Sequence, residues 1–365
     1  MFLIVTRSFP PDVGGMQSLM GGLSENLLDH GPVKVFAFDH ENSSSYDGKS
    51  TMNIVRVKGI KLFRKYRKAN LVNDFIRDNE NIRTVITDHW KSLELLKTDY
   101  LKKTKTFCLL HSKEINYSKG SNTNKRIIKS TNKANFIISN SNFTKQLATK
   151  VGINLSKMHV IFPGINKSKN IENIFKIKAE KIFDGGFPKI ITVARLDKRK
   201  GHDKILMAIK NLVSHYPKIK YVSIGFGEEE KNLIKLLKEL SLEKNVTFLK
   251  DIDENLKLAL ISESDLFLMP SRIEKNSVEG FGISFIEAAS YGVASIGGKD
   301  GGASDAIDHN KTGLICDGND LNSIYQSIIK IFEDKNFINF GKNAKKFSEN
   351  FHWEKIIKNY LRLID

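Results

Sequence analysis

Cysteine is nearly missing from this chain: Cys108 and Cys316 are the only two in 365 residues. They are far apart and lie in no partner pattern, which excludes a disulfide framework and a zinc site and favours a reducing compartment. Long apolar runs are missing too. After Met1 only Phe2 to Val5 are apolar in succession, and no 18-residue apolar stretch follows anywhere. We therefore expect neither a signal peptide nor a transmembrane span, a cytoplasmic chain, and at most a peripheral membrane contact. The sequence has no P-loop, no zinc-finger spacing and no aromatic-basic RNA motif. Acidic residues are scarce in one half only. Residues 1–165 hold 26 Lys+Arg against 13 Asp+Glu, or +13, whereas residues 166–365 hold 32 against 28, or +4. The basic half should be drawn to an anionic partner, a membrane surface or a nucleic acid, unless the excess is plain Lys- and Asn-rich composition.

What is present is a repeated pattern of short apolar runs alternating with helical stretches. Such runs lie near Phe2–Val5, Val33–Phe38, Ile54–Val57, Thr84–Thr87, Thr106–Leu110 and Phe136–Ser139. They describe an α/β domain with a parallel sheet. After a polar connection over residues 155–188 the pattern resumes at Lys189–Ala194, Tyr221–Gly225, Asn245–Leu249 and Leu266–Met269. The length suits two such domains, each able to bury a core, and the boundaries fall at 1–165 and 166–350. A final amphipathic helix over 351–365 carries Trp353, Ile356, Ile357, Tyr360 and Leu361 on a broad apolar face.

In parallel sheets of this kind, ligands collect beyond the C-terminal strand ends, and several residues fall there. Gly14 and Gly15 close the loop after the first strand and precede a helix, so their amides can approach a phosphate or sugar; a plain tight turn would look the same. His111 directly follows the strand ending at Leu110 and could donate to a sugar hydroxyl or a leaving phosphate, or be structural. Arg195 and Lys200 flank one loop after the strand ending at Ala194, placed to neutralise a diphosphate, while Lys198 and Arg199 read as bystanders. Asp251-Ile252-Asp253 imitates a metal motif, but Asp253 reads as a helix N-cap, and we expect no metal. Gly225-Phe226-Gly227 lacks the third glycine of a dinucleotide site.

The richest stretch is 265–306. A buried strand ends at Pro270-Ser271, and Glu279-Gly280-Phe281-Gly282 opens a helix that carries Glu287 eight residues after Glu279. Glycines at that start leave backbone amides open to a ligand. The spacing predicts Glu279 and Glu287 on one helix face, about 12 Å apart, able to grip both ends of an extended sugar nucleotide. The alternative is a helix-dipole partner and a solvated charge.

Lys58–Lys68, KGIKLFRKYRK, interleaves six basic residues with Ile60, Leu62, Phe63 and Tyr66. On a helix Lys61, Arg64, Lys65 and Lys68 share one side, as a helix lying on an anionic membrane requires, although a solvated helix with a buried stripe remains open.

The block from Pro270-Ser271 through Glu279-Gly280-Phe281-Gly282, Glu287 and Gly301-Gly302 resembles the signature of the retaining family-4 glycosyltransferases of GT-B fold. Its pattern is most similar to the phosphatidylinositol mannoside mannosyltransferases of bacteria. Pro11-Asp12-Val13-Gly14-Gly15, His111 and Arg195 with Lys200-Gly201 also resemble the family's motifs, in the same order. One turn departs: Gly301-Gly302-Ala303-Ser304-Asp305 stands where the family has Gly-Gly-Pro-Glu.

The resemblance implies two Rossmann-like domains facing a central cleft, the first for the acceptor and the second for the nucleotide sugar, with the last helix crossing back to the first domain. It implies retaining, metal-independent transfer of a hexose from GDP-mannose or a UDP-hexose, with no cofactor, to a lipid or lipid-linked glycan in lipopolysaccharide or other glycolipid synthesis. The catalytic group would be His111, Arg195, Lys200 and Glu279. Gly14, Gly15, Gly280, Phe281, Gly282 and Glu287 would hold the donor, Glu287 at its ribose. The enzyme would sit on the inner face of the cell membrane through Lys61, Arg64, Lys65 and Lys68, with no nucleic-acid partner. A sugar-nucleotide 2-epimerase on the same fold, or a basic membrane- or nucleic-acid-binding module, remains an alternative.

Overall fold

The computed structural model describes residues 1–365, with the side chain of Asp334 set aside. The chain divides into two compact units, residues 1–166 with 351–365, and residues 167–350.

In the first unit the apolar runs form seven parallel strands: β1 Phe2–Val5, β2 Val33–Phe38, β3 Asn53–Val57, β4 Thr84–Thr87, β5 Lys105–Leu110, β6 Phe136–Ser139 and β7 Met158–Val160. Their order is β3-β2-β1-β4-β5-β6-β7. Leu3, Val5, Val85, Cys108, Leu110 and Ile137 are buried in its core, because helices cover both faces of a parallel sheet and leave no strand face for water. The final helix, Trp353–Ile364, belongs to this unit. It buries Trp353, Ile356, Ile357, Tyr360 and Ile364, with the Trp353 indole packed against Gly22 of the helix Gly15–Leu27 and against Gly164.

The second unit has six parallel strands: β8 Lys189–Val193, β9 Lys220–Ile224, β10 Val246–Leu249, β11 Leu266–Met269, β12 Ala294–Gly298 and β13 Gly313–Cys316, in the order β10-β9-β8-β11-β12-β13. Ile190, Tyr221, Leu266, Leu268, Ile296 and Leu314 anchor its core.

Both orders reverse direction once, between β1 and β4 and between β8 and β11. At such a switch the connections leave the two central strands toward opposite faces and open a crevice at the carboxyl ends. Each unit therefore has one such place, and Gly14, Arg195, Lys200 and Glu279 belong to the loops there.

Residues 155–188 hold more structure than a connection. Met158–Val160 is the last strand of the first sheet and Asn173–Phe183 is an α-helix. The strand is three residues at a sheet edge, too short to show a period. The helix turns Phe175, Ala179, Ile182 and Phe183 inward while Ile174 and Ile177 stay exposed, so apolar residues on both sides blur its period in the sequence.

Candidate functional site

At the β8–β11 switch of the second unit, Glu279 is nearly inaccessible, 9% exposed. Its Oε2 accepts from Arg199 Nη1 at 2.7 Å and also from Lys200 Nζ. Arg199 and Lys200 form a short 3-10 turn after β8, and Gly201 ends it with φ +79°. A Cβ on Gly201 would stand 2.6 Å from the Pro270 carbonyl oxygen. Only glycine accepts both that dihedral and that approach, which lets the β8 loop press against the β11 loop. Gly302 N donates to Glu279 O at 2.9 Å, so the Gly301-Gly302 turn braces Glu279 from behind despite its departure from the family pattern.

The charges form a chain. Asp197 Oδ2 lies 3.4 Å from Arg195 Nη2 and 3.5 Å from Arg199 Nη2, and Arg199 passes to Glu279. Burial alone would raise the Glu279 carboxyl, but the Lys200 ammonium and Arg199 guanidinium outweigh it and hold the group down to about 2. Burial lowers Lys200, opposed by Glu279. Asp197 Oδ1, Arg199 Nε and Ser271 Oγ are buried with no protein partner among the described residues. That is a polar, charged lining rather than a greasy one.

Lys200 and Glu279 are thus brought together. Arg195 is attached through Asp197 but points outward, its side chain 61% exposed. Gly280, Phe281 and Gly282 are buried beside them, and Gly282, at φ +88°, caps the helix Ile283–Ser290. This start corrects the placement of the two acids on one helix face. Glu279 lies four residues before the first helical residue, so helical spacing does not relate it to Glu287. Glu287, half-buried on the helix, instead lies in the field of Lys257, whose ammonium pairs with Glu254 at 2.7 Å. Asp253 caps the helix Glu254–Ser262, accepting from Asn255 N. No group of three or more His, Cys, Asp and Glu is arranged to hold a metal ion among the described residues.

Arg199 and Asp197 escaped the sequence reading. Arg199 read as a bystander because a run of basic residues usually marks a solvated surface; the signal available was Asp197 set among four cations, Arg195, Lys198, Arg199 and Lys200. Lys198 is exposed. Two further ties brace the loops. Arg272, 8% exposed, holds Asp203 through both guanidinium nitrogens at 2.9 Å. His202 sits beneath Arg195, with Nδ1 3.0 Å from the Tyr221 hydroxyl and Nε2 3.3 Å from the Arg195 carbonyl.

In the first unit the β1–β4 switch is built alike. Arg7 N donates to Asp88 Oδ2 at 3.0 Å, joining the loop after β1 to the one after β4. Gly14, at φ +154°, caps the helix that begins at Gly15. His111 follows β5, and its Nε2 lies 2.8 Å from the Asp88 carbonyl. A carbonyl only accepts, so Nε2 carries a proton, and Nδ1 is the ring nitrogen left to meet a ligand.

The helix predicted from the basic stretch runs Lys61–Asp78. Ile60, Leu62, Phe63 and Tyr66 are 48–71% exposed among exposed Lys61, Lys65 and Arg67, whereas Arg64 is half-buried and bonds back to the Gly59 carbonyl. Lys68 does not belong to this surface. It is 3% exposed, and its Nζ donates to Thr6 O at 2.7 Å and Ser92 Oγ at 3.2 Å. Seven residues after Lys61, two helical turns on, the same face has reached the sheet, and a long stem lets the ammonium reach strand-end acceptors.

Two doubly wound parallel sheets, each with charged or glycine loops at its switch, define a protein of two Rossmann-like units, the GT-B class. HepE of Anabaena, solved in complex with UDP, has the same fold: TM-score 0.82, 17% identity, over 99% of this chain and 98% of that one. Residues 173–351 match the family Glycosyl transferases group 1, so the chain carries a domain of that family. It is 24% identical over 353 residues to the GDP-mannose-dependent alpha-(1-6)-phosphatidylinositol monomannoside mannosyltransferase of Mycobacterium tuberculosis (strain CDC 1551 / Oshkosh), covering 91% of this chain and 89% of that protein. Over 216 residues, 54% of each, it is 30% identical to the N-acetyl-alpha-D-glucosaminyl L-malate synthase of Bacillus anthracis. No helix among the described residues is long and apolar enough to cross a membrane.

Proposed function

We propose that this glycosyltransferase moves a hexose from a nucleoside-diphosphate sugar to a hydroxyl of a lipid or lipid-linked glycan, with retention at the anomeric carbon and without a metal. The observation that carries the reading is the buried Lys200–Glu279–Arg199 cluster at the β8–β11 switch. It sets cations and a carboxylate held ionised where a doubly wound sheet receives its ligand. The carboxylate can accept from sugar hydroxyls, and Arg195 and Lys200 can meet the charge that grows on the diphosphate as the glycosidic bond breaks. His111 Nδ1 would hydrogen-bond a sugar hydroxyl. The departing phosphate would take the acceptor proton in a front-face displacement, with the chain supplying position and charge rather than a nucleophile. The mycobacterial relative is named for GDP-mannose and a phosphatidylinositol mannoside; this supports GDP-mannose first, with UDP-hexoses next, and a glycolipid acceptor. Exposed Ile60, Leu62, Phe63 and Tyr66 among Lys61, Lys65 and Arg67 support docking on an anionic leaflet.

The test incubates GDP-mannose, UDP-glucose, UDP-glucuronate and UDP-N-acetylglucosamine with and without lipid extracts. A glycolipid formed with an axial linkage retained from the donor is expected. Conversion of the donor in the absence of acceptor would instead identify an epimerase.

A further inference from the structure

Arg195, Arg199 and Lys200 lie with Asp197 and Glu279 on the β8 and β11 loops, yet the three cations are not equivalent. Lys200 and Arg199 both spend their charge on one oxygen of Glu279. Lys200 has a flexible stem, and its other contact is the weak acceptor Met269 Sδ at 3.5 Å. Arg199 is fixed: 8% exposed, faced by Asp197 Oδ2 at 3.5 Å, and with its carbonyl accepting from Arg272 N at 2.9 Å. A planar guanidinium held at two places is a poor candidate to move, while an ammonium on four rotatable bonds is a good one.

A diphosphate arriving at this loop carries more negative charge than Glu279 and competes for Lys200. If Lys200 turned to it and nothing else held Glu279, a buried carboxylate would be left without a cation, a situation that raises carboxyl groups above neutrality. We propose that Arg199 is the residue that keeps Glu279 ionised and in place when a nucleoside diphosphate draws Lys200 away, so that the two adjacent cations divide their work. Arg199 is then a positioning residue. This rests on the donor site proposed above and adds to it an exchange of partners on binding.

The experiment is calorimetric titration of GDP and UDP into the whole protein, in buffers of different ionisation enthalpy between pH 6 and 8. Wild type should bind without proton uptake at Glu279. R199Q should take up approaching one proton per nucleotide, the double variant R199Q/E279Q should take up none beyond wild type, and in transfer assays kcat of R199Q should fall about ten- to hundred-fold with KM changed much less. R199K, which keeps a charge but loses the planar fork, provides a variant tolerant of folding and should show uptake beginning at a higher pH than wild type. R199Q or R199K with the proton count and kcat of wild type overturns the inference while leaving the donor site standing. Wild type that binds neither nucleotide and uses no sugar nucleotide overturns the donor site, and this inference with it.

Discussion

Lys68 Nζ donates to the carbonyl oxygen of Thr6 at 2.7 Å, tying a helix to the end of β1 sixty-two residues earlier. The ammonium also reaches Ser92 Oγ, whose own proton goes to Asp88 Oδ1 at 2.6 Å. Burial lowers Lys68 to about 8, with Asp88 opposing. K68M strips the Thr6 carbonyl and Ser92 of a buried donor and should lower the unfolding free energy by about 1–3 kcal/mol in urea titration.

Membrane docking separates from that effect. K61Q/K65Q and F63S alter exposed side chains and should leave stability within about 0.5 kcal/mol of wild type. Cosedimentation with vesicles containing phosphatidylglycerol should fall several-fold in both. Binding equal to wild type in both variants would remove this surface as the membrane contact.

At the β8 loop, R195A and K200A should each lower kcat by roughly hundred- to thousand-fold, since each removes a cation aimed at charge that develops on the leaving group. The two differ in the folded state. Arg195 is largely exposed, so circular dichroism and melting should be unchanged in R195A, whereas K200A leaves Glu279 with Arg199 alone and should melt earlier. Turnover at the wild-type rate in either variant would remove that residue from the mechanism.

Arg272 gives a test of geometry. Its two nitrogens meet both oxygens of Asp203 at 2.9 Å and hold the β11 loop against the helix after β8. R272A should lower stability by about 1–3 kcal/mol, and R272K should recover little of it, because an ammonium cannot make the paired contact. Full recovery in R272K would mean that charge alone matters here.

The fold was legible because buried parallel strands read as apolar runs that end at glycine or proline, as Leu266–Met269 before Pro270 does. The edge strand Met158–Val160 and the helix Asn173–Phe183 were not, since the strand is too short to show a period and exposed Ile174 and Ile177 blur that of the helix. Within the site, Lys200 and Glu279 could be named because loops at strand ends are few. Their partner Arg199 could not, because sequence shows a charge but not whether it faces water or a carboxylate eighty residues away. Lys68 failed the same way: a helical projection assigns a face, and the turn at which that face meets the sheet depends on packing.

Acid should weaken the second unit in two stages. His202 is 1% exposed, and burial lowers it to about 4 from 6.5, with the Arg195 carbonyl opposing. Between those values the unfolded chain binds a proton that the folded chain refuses, so stability falls as pH drops from about 6.5 toward 4. Glu279, held at about 2 from 4.5, acts lower down. Its unfolded form takes up a proton first, so the stability it contributes is present above about 4.5 and is lost as pH falls toward 2, on the order of 3 kcal/mol for each group. H202F should flatten the upper stage of a plot of melting temperature against pH, and E279Q the lower stage only. A lower stage of unchanged slope in E279Q would show that Glu279 is not held ionised by Arg199 and Lys200.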